Sequence, residues 1–247
     1  MLQGRGPRAA RGRDREPQGH RRAVEQGQPV SAGGPGPAVA LLDYEMSNLR
    51  SAGKALERLG ARVWVAGRPA EAEGADAVVL PGVGRFGAAM ERLEARGFTG
   101  MLRDAAAEGT PVLGICLGLQ LLFDESEESH GVAGLGLIPG TVRRLRTDLK
   151  VPHIGWSEVD WCADTLLAPS GGGLADRTYY FVHSYACVPA DDDDVLGMAD
   201  HGGAFVAAAA RGSVAGVQFH PEKSSTAGLA LLGRWLEGVT ARHGAPA

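Results

Sequence analysis

The stretch Pro111-Val-Leu-Gly-Ile-Cys116-Leu-Gly-Leu-Gln-Leu-Leu-Phe123 indicates a short buried strand that turns directly into a helix at a cysteine. The apolar run before Cys116 is typical of a strand covered on both faces, and the run after it is too apolar for an exposed helix. Gly114 and Gly118 complete the pattern G-x-nucleophile-x-G of a nucleophile elbow, in which crowded backbone leaves no room for a Cβ. The sequence therefore places a thiol at a strand end and at a helix N-terminus, where the thiolate is favoured.

The elbow pattern alone does not decide the role of Cys116, because a cysteine in an apolar run commonly packs as a small hydrophobic residue. A nucleophile also needs a base, and the predicted strand at 214–219 ends in His220-Pro-Glu222. Residues i and i+2 of an extended segment lie on one side, so His220 and Glu222 can act at the same point, with Pro221 restricting the backbone. If Glu222 holds one imidazole nitrogen, the other can accept the Cys116 proton. We therefore predict a catalytic triad of Cys116, His220 and Glu222.

Short apolar strands alternate with amphipathic helices before the elbow, at 38–42 (strand), 49–59 (helix), 63–65 and 77–80 (strands), and 86–96 and 100–108 (helices). The second half is richer in strands, some expected to be antiparallel, which are predicted at 141–145, 157–161, 179–182, 185–188, 205–209 and 214–218. It ends in an amphipathic helix predicted at 226–242. This alternation is typical of the α/β class, with a mostly parallel central sheet and helices on both faces.

The loop from Pro81 to Gly84 follows the third predicted strand and belongs to the same sheet edge as Cys116. Ligands of such sheets bind outside the carboxyl ends of the strands. A thiolate that attacks a carbonyl creates an oxyanion, which needs N–H donors aimed at it in advance. The backbone amides of Val83, Gly84 and Leu117 are the candidates, and one such donor typically lowers the barrier by about 3 kcal/mol. On the tetrapeptide alone, a tight turn without a chemical role remains an open alternative.

Residues 1–37 differ in composition from the rest of the chain. They are rich in Arg, Gly, Pro and Gln without apolar periodicity, so we predict a disordered extension followed by one domain at 38–247. The extension carries seven Arg against three acidic residues, a net charge of +4; because the whole chain has −4, the domain is acidic at −8. An acidic domain without a nucleic-acid motif disfavours nucleic acid as the main partner.

The composition also argues against other classes of protein. No apolar run reaches the roughly 18 residues of a membrane span, and no signal-peptide core follows Met1, so a cytoplasmic location is predicted. The three cysteines, Cys116, Cys162 and Cys187, form no C-x-x-C pair and indicate neither a disulfide framework nor a zinc site. The acidic run from Asp191 to Asp194 lacks the alternating spacing of a metal site and is interpreted as a solvated loop. We expect neither a metal nor a cofactor.

Six motifs carry a family resemblance: Asp43-Tyr44…Asn48-Leu-Arg-Ser51, Leu80-Pro-Gly-Val-Gly84, Gly114-Ile-Cys-Leu-Gly-Leu-Gln-Leu-Leu-Phe123, Val151-Pro-His-Ile-Gly-Trp156, Tyr180-Phe-Val-His-Ser-Tyr185 and Gly216-Val-Gln-Phe-His-Pro-Glu-Lys-Ser224. With them, residues 38 to about 236 resemble the class I (triad) glutamine amidotransferases and, within that family, the glutaminase subunits of imidazole glycerol phosphate synthase. The triad motifs mark the whole family, whereas P-H-I-G-W, F-V-H-S-Y and P-G-V-G point to these subunits. The chain departs from the family at Glu45-Met-Ser47, where glycines are usual, near the rim expected to face a partner.

The resemblance implies a reaction and a partner. Cys116 would attack the carboxamide of glutamine, His220 would protonate the departing ammonia, and water would hydrolyse the thioester with His220 as base and Glu222 orienting it. A single glutaminase domain leaves no room for the site that accepts ammonia, so that site must lie on another polypeptide. By resemblance this is a (β/α)8-barrel cyclase, joined in a heterodimer that makes imidazole glycerol phosphate and AICAR in histidine biosynthesis.

Further positions follow from the same resemblance. Gln120 lies one helical turn beyond Cys116 and can face the same pocket. By resemblance it holds the substrate together with Glu128 and the backbone of Ser184 and Tyr185. The positions expected to face the partner are Asn48, His153 and Trp156. Two alternatives stay open, since Glu128 could be an exposed loop acid and Trp156 a core residue.

Three other functions compete with this one. Another class I amidotransferase subunit, of the anthranilate or pyridoxal phosphate type, would be expected to lack P-H-I-G-W. A Cys-dependent α/β hydrolase would place its acid on a separate strand instead of in an H-P-E unit. A non-catalytic binding module is disfavoured because Cys116, His220 and Glu222 are all present.

Overall fold

The computed structural model describes residues 36–46, 48–162, 165, 167–169 and 173–244. The predicted disordered extension at 1–37 lies outside these residues apart from its last two. Ser47, in the segment that departs from the family, is likewise outside them. Within the described part of the chain, every helix is too short or too polar to cross a membrane.

The described residues form thirteen strands and five α-helices. In chain order they are β1 (Ala38–Leu42), α1 (Leu49–Arg58), β2 (Arg62–Ala66), β3 (Ala77–Gly82), α2 (Phe86–Ala95), α3 (Phe98–Ala107), β4 (Val112–Cys116), α4 (Leu117–Leu121), β5 (Glu125–Ser126), β6 (Gly140–Arg144), β7 (His153–Glu158), β8 (Asp160–Trp161), β9 (Thr178–His183), β10 (Tyr185–Pro189), β11 (Val195–Asp200), β12 (Ala204–Arg211), β13 (Val214–Val217) and α5 (Ser225–Gly244).

The central sheet is parallel in its first half and mostly antiparallel in its second. Strands β2, β1, β3, β4 and β13 lie side by side and are parallel throughout. The sheet continues through β12, β10 and β6, which pair antiparallel, and β11 adds to β12. The predicted α/β class, with a mostly parallel sheet and antiparallel strands in the second half, is confirmed.

Side chains of the central strands alternate between two apolar cores, one on each face of the sheet. In β1, Val39 and Leu41 pack with α1 and α5 on one face, whereas Ala40 and Leu42 pack with α2, α3 and α4 on the other. The central strands are therefore buried along their whole length, as in parallel sheets covered by helices on both sides. This double cover explains the continuous apolar runs from which these strands were predicted.

A separate two-stranded sheet borders the end of the central sheet. It consists of β7 and β9, which pair antiparallel with Trp156 opposite Tyr180. Its outer face exposes Ile154 and Trp156. On β9, the carbonyl oxygen of Val182 lies 3.8 Å from the sulfur of Cys116. This small sheet, which we call the β7–β9 sheet, thus joins an exposed apolar surface to the elbow.

The structure contains strands that the sequence analysis missed. β11 was not predicted because its residues include Gly197 and follow the acidic run from Asp191 to Asp194. β7 begins at His153, four residues before the predicted strand start at 157. The acidic run is also not simply solvated, since Asp194 is buried and accepts hydrogen bonds from Arg211 at 2.9 and 3.1 Å. The interpretation as a solvated loop is therefore wrong for Asp194.

Candidate active site

Cys116 is the last residue of β4 and holds a backbone conformation that side chains rarely adopt, with φ +56° and ψ −112°. A Cβ at Gly118 would lie 1.8 Å from the carbonyl oxygen of Leu80, and one at Gly114 would lie 2.7 Å from the amide nitrogen of Leu119. Both glycines are therefore required by close backbone contacts, as the elbow pattern predicts. The strained turn directs Cys116 out of the end of the sheet, at the start of α4.

His220 follows β13, which pairs parallel with β4, so the strand register carries it to the same sheet edge as Cys116. Its ring is buried, and its Nδ1 lies 2.9 Å from Oε1 of Glu222. The ring also interacts with the Cys116 sulfur. The structure thus brings together the three residues of the predicted triad, with Glu222 at Nδ1 of the imidazole.

The protonation of His220 is set by opposing effects. Burial alone would lower its pKa, but the hydrogen bonds and charges of Cys116 and Glu222 outweigh burial and raise the pKa to about 9. At neutral pH the ring is therefore an imidazolium beside the sulfur. An acid is thereby in place to protonate a group that leaves a carbonyl attacked by Cys116.

A cavity of about 280 Å³ opens at the sulfur of Cys116. This size lies just below the roughly 300 Å³ at which pockets for drug-sized ligands begin, and suits a ligand as small as one amino acid. It brings together most of the predicted site residues, and its lining consists of Val83, Gly84, Cys116, Leu117, Gln120, Glu128, Pro152, Val182, His183, Ser184 and Tyr185. Within the described ranges, no cluster of three or more His, Cys, Asp or Glu side chains is arranged to hold a metal ion.

Glu128 is half-buried and not simply an exposed loop acid. Its Oε2 accepts a hydrogen bond of 2.7 Å from the backbone N–H of Phe86, the first residue of α2. A carboxylate at this place satisfies an N–H without an intrahelical partner and interacts favourably with the helix dipole. The helix therefore holds the carboxylate of Glu128 at the wall of the cavity.

Of the predicted oxyanion donors, the amide of Val83 is already used. It donates a hydrogen bond of 2.8 Å to the carbonyl oxygen of Met46. Gly84 has a left-handed φ of +103°, and it lines the cavity together with Leu117. In this structure the N–H of Val83 therefore points to Met46 and is not available to an oxyanion in the cavity. Its position at the rim is as predicted, and its role in binding an oxyanion stays a prediction.

The loop is supported from below by Tyr44, whose hydroxyl donates a hydrogen bond of 2.8 Å to the carbonyl oxygen of Pro81. Burial raises the pKa of this phenol well above its usual range, so it remains a donor. A Cβ at Gly82 would come within 2.5 Å of the same hydroxyl. Glu45, the residue after Tyr44 in the chain, has a left-handed φ of +68° and forms ion pairs with Arg92 and Arg96. These ion pairs hold the segment in which the chain departs from the family.

The predicted partner-facing residues do not all lie on one surface. Trp156 is 53% exposed, so it is not a core residue, and its ring packs edge-on against Tyr180. Asn48 is exposed at the start of α1. His153 is only 3% exposed, because alternation along β7 turns it inward, opposite to Trp156. The structure therefore places His153 beneath the face that we expected it to join.

Gln218 is a site residue that the sequence analysis did not single out. It is completely buried, and its amide contacts both Gln120 and the sulfur of Cys116. A signal was available, since Gln218 is a polar residue in an otherwise apolar strand and stands two positions before His220.

Comparison with known proteins supports the resemblance seen in the motifs. A family model described as "Glutamine amidotransferase class-I" matches residues 40–236. The chain is 47% identical to "Imidazole glycerol phosphate synthase subunit HisH" of Moorella thermoacetica over 205 residues, which cover 83% of this chain and 96% of that protein. It is 46% identical to the protein of the same name from Gloeobacter violaceus over 213 residues, which cover 85% of this chain and 93% of that protein.

Solved structures share the fold at lower identity. A crystal structure of a glutamine amidotransferase aligns with a TM-score of 0.62 at 22% identity, covering 81% of this chain and 98% of that chain. A chain in the structure of PurLQS from Thermotoga maritima aligns with a TM-score of 0.64 at 20% identity, covering 84% of this chain and 99% of that chain.

Proposed function

The chain belongs to the class I glutamine amidotransferases, and from this premise we propose that it hydrolyses glutamine at Cys116 and supplies the ammonia to a synthase. The observation that carries the proposal is a strained elbow cysteine that lines a small cavity and interacts with a buried, protonated His220. This constellation is built for attack on a carbonyl and for proton delivery to a leaving amine.

The proposed reaction has two halves. In the first, the Cys116 thiolate attacks the carboxamide carbon of glutamine, and the imidazolium of His220 gives its proton to the nitrogen that leaves as ammonia. In the second, neutral His220 takes a proton from water, and the hydroxide attacks the thioester to release glutamate and regenerate the thiolate. Glu222, hydrogen-bonded to Nδ1, keeps the ring oriented through both halves.

The walls of the cavity suit an amino acid as substrate. Glu128 lines the cavity with a carboxylate that can attract the α-ammonium group of glutamine. Gln120 on α4 and the segment of Ser184 and Tyr185 line the same cavity. For the oxyanion, Gly84 and Leu117 are the proposed donors, and Val83 joins them if its peptide turns away from Met46.

We further propose that the acceptor of the ammonia is a (β/α)8-barrel cyclase, bound as a heterodimer in the cytoplasm. The two relatives described above are named as subunits of imidazole glycerol phosphate synthase, and this chain covers more than nine-tenths of each. With such a partner, the products are imidazole glycerol phosphate and AICAR in histidine biosynthesis. The outer face of the β7–β9 sheet, with Ile154 61% exposed and Trp156 53% exposed, supports this as the docking surface.

The experiment that tests the chemistry is capture of the thioester. The chain is mixed with glutamine and the cyclase, quenched in acid, digested and analysed by mass spectrometry. We expect a glutamyl adduct on the peptide that contains Cys116. Cys162, an exposed free cysteine, serves as the control site in the same sample. An adduct on both cysteines, or on neither while glutamate accumulates, would rule out the proposed nucleophile. Hydrolysis of simple esters but not glutamine would favour the α/β hydrolase alternative.

A further inference from the structure

The side chain of Gln218 is a buried amide to which the reaction above gives no task. It lies one residue beyond the Val217–Ile115 pair, where β13 and β4 end side by side, and it is 0% exposed. A buried primary amide must satisfy both its oxygen and its nitrogen, because an unpaired polar group in the interior is costly. The partners of Gln218 are Gln120 and the sulfur of Cys116.

The orientation of these amides follows from one backbone carbonyl. The oxygen of Tyr185 can only accept hydrogen bonds, and it receives one of 3.0 Å from Nε2 of Gln120 and one of 2.9 Å from Nδ1 of His183. Gln120 must therefore direct its NH₂ group towards Tyr185. The same NH₂ lies 2.9 Å from Oε1 of Gln218, which accepts its second hydrogen.

Two consequences follow for the site. Because Oε1 of Gln218 accepts from Gln120, its Nε2 faces Cys116, and it lies 3.8 Å from the sulfur, within the range of a hydrogen bond to sulfur. Because both hydrogens of the Gln120 amide are used inside the protein, the group that Gln120 can offer to a ligand is its oxygen, an acceptor. The carbonyl of Tyr185 and the side chain of Gln218 together thus hold the orientation of Gln120 at the cavity wall.

We propose that Gln218 is a positioning residue with two functions: it donates an N–H to the Cys116 thiolate, and it locks Gln120 with its oxygen towards the substrate. The first function acts on the nucleophile, since a donor stabilises the thiolate over the thiol. The second acts on binding, since without Gln218 the Gln120 amide is held only by the carbonyl of Tyr185, and a less firmly held amide presents its oxygen to the substrate less often. This inference rests on the proposed function for its effect on glutamine, but not for its effect on the thiol.

Two substitutions separate the two functions. Gln218→Met preserves the length of the side chain but removes both hydrogen bonds. Gln218→Glu keeps an oxygen acceptor for Gln120 and replaces the donor to Cys116 by a carboxylate, which repels the thiolate. Phe219→Leu is the matched control, because Phe219 is equally buried on the same segment but neither of these hydrogen bonds involves its side chain.

The test measures the rate of iodoacetamide alkylation at Cys116 against pH in the full-length chain, with Cys162 in the same sample as internal reference. We expect Gln218→Met to raise the pH midpoint of alkylation, to lower kcat for glutamine about tenfold and to raise KM, in line with the loss of one hydrogen bond to a charged group. Gln218→Glu should raise the midpoint further while leaving KM nearer to that of the unaltered chain.

The control and the alkylation readout distinguish the ways in which the inference could fail. Phe219→Leu should lower the melting temperature without moving the midpoint. If Gln218→Met lowers the melting temperature but leaves the midpoint and the ratio of kcat to KM unchanged, Gln218 is only a packing residue and the proposal is overturned. Absence of glutamine hydrolysis by the unaltered chain in the presence of the liganded cyclase would instead refute the proposed function, because alkylation at Cys116 reports on the thiol without any turnover.

Discussion

At the scale of single residues, His220 should set the alkaline limit of activity. Its pKa of about 9 means that the imidazolium needed to protonate ammonia disappears as the pH rises through that value. We expect kcat/KM for glutamine to fall with a midpoint near pH 9. In Glu222→Gln the carboxylate that helps to raise the pKa is gone, so the midpoint moves to lower pH. As a control, Glu91→Gln, an exposed change on α2, should leave the dependence of kcat/KM on pH unchanged. If the alkaline midpoint in Glu222→Gln is also unchanged, the roles assigned to His220 and Glu222 are contradicted.

Two other histidines should make the protein sensitive to acid. His153 and His183 are buried, and Nδ1 of His153 lies 3.1 Å from Nε2 of His183. Burial, with the charges of neighbouring histidines, lowers the pKa of each ring to about 4. The unfolded chain takes up these protons near pH 6.5, whereas the folded chain resists them. Their contribution to stability is therefore complete above pH 6.5 and is lost as the pH falls from 6.5 towards 4.

The measurement is the free energy of unfolding by urea at pH 7.5 and at pH 5. His183→Gln should lose less stability between these pH values than the unaltered chain, although it starts from a lower value. His130→Gln, which removes an exposed histidine, should behave like the unaltered chain. Equal losses in His183→Gln and the unaltered chain would show that the buried pair does not titrate as proposed.

Spacing in the sequence was enough to predict that Cys116, His220 and Glu222 lie together, because two adjacent strand ends and the alternation of an extended segment place them. Their catalytic roles stay a prediction. It was not enough to predict contacts across long separations. The hydrogen bond from Phe86 to Glu128 joins residues 42 positions apart, and the one from Gln120 to Gln218 joins residues 98 apart. Such pairs depend on how the elements pack, which one sequence does not reveal.

At the scale of elements, the elbow depends on glycine at two positions. Gly118→Ala puts a Cβ 1.8 Å from the carbonyl oxygen of Leu80, so the backbone of β3 or α4 must move. We expect a loss of about 3 kcal/mol or more in the free energy of unfolding, together with loss of activity. Gly100→Ala is the control, since a Cβ there meets nothing within 4 Å, and in a helix it should be neutral or stabilise by up to about 1 kcal/mol. If urea denaturation shows the same change in the free energy of unfolding for Gly118→Ala and Gly100→Ala, this explanation of the elbow is contradicted.

The elements themselves were predictable to different degrees. The parallel strands are covered on both faces, and their uninterrupted apolar runs identify them directly. β11 is apolar in most positions, but it is covered less completely and is interrupted by Gly197, which weakens the strand pattern. β5 has two residues in a polar stretch and owes its conformation to pairing with β6. Strands of this kind are determined by their neighbours and not by their own residues.

At the scale of the whole molecule, the exposed face of the β7–β9 sheet should bind the cyclase. Trp156 combines large exposure with a fixed position against Tyr180, which is typical of residues that dominate binding energy. We expect Trp156→Ala to raise the dissociation constant for the cyclase at least about tenfold, measured by titration calorimetry. Val188→Ala, a 42% exposed apolar position on β10, should leave it unchanged. If Trp156→Ala and Val188→Ala bind the cyclase with equal affinity, the exposed face of the β7–β9 sheet is not the docking surface.

The central claim is that this chain is a glutaminase whose Cys116 serves a synthase partner, and the rate of glutamate formation tests it most directly. The rate is measured with the purified chain alone, with the cyclase, and with the cyclase carrying its own ligand. We predict slow hydrolysis by the chain alone, acceleration when the liganded cyclase is present, and no hydrolysis by Cys116→Ala under any of the three conditions. Full activity of the chain alone that the cyclase and its ligand leave unchanged, or normal glutamate formation by Cys116→Ala, would contradict the claim.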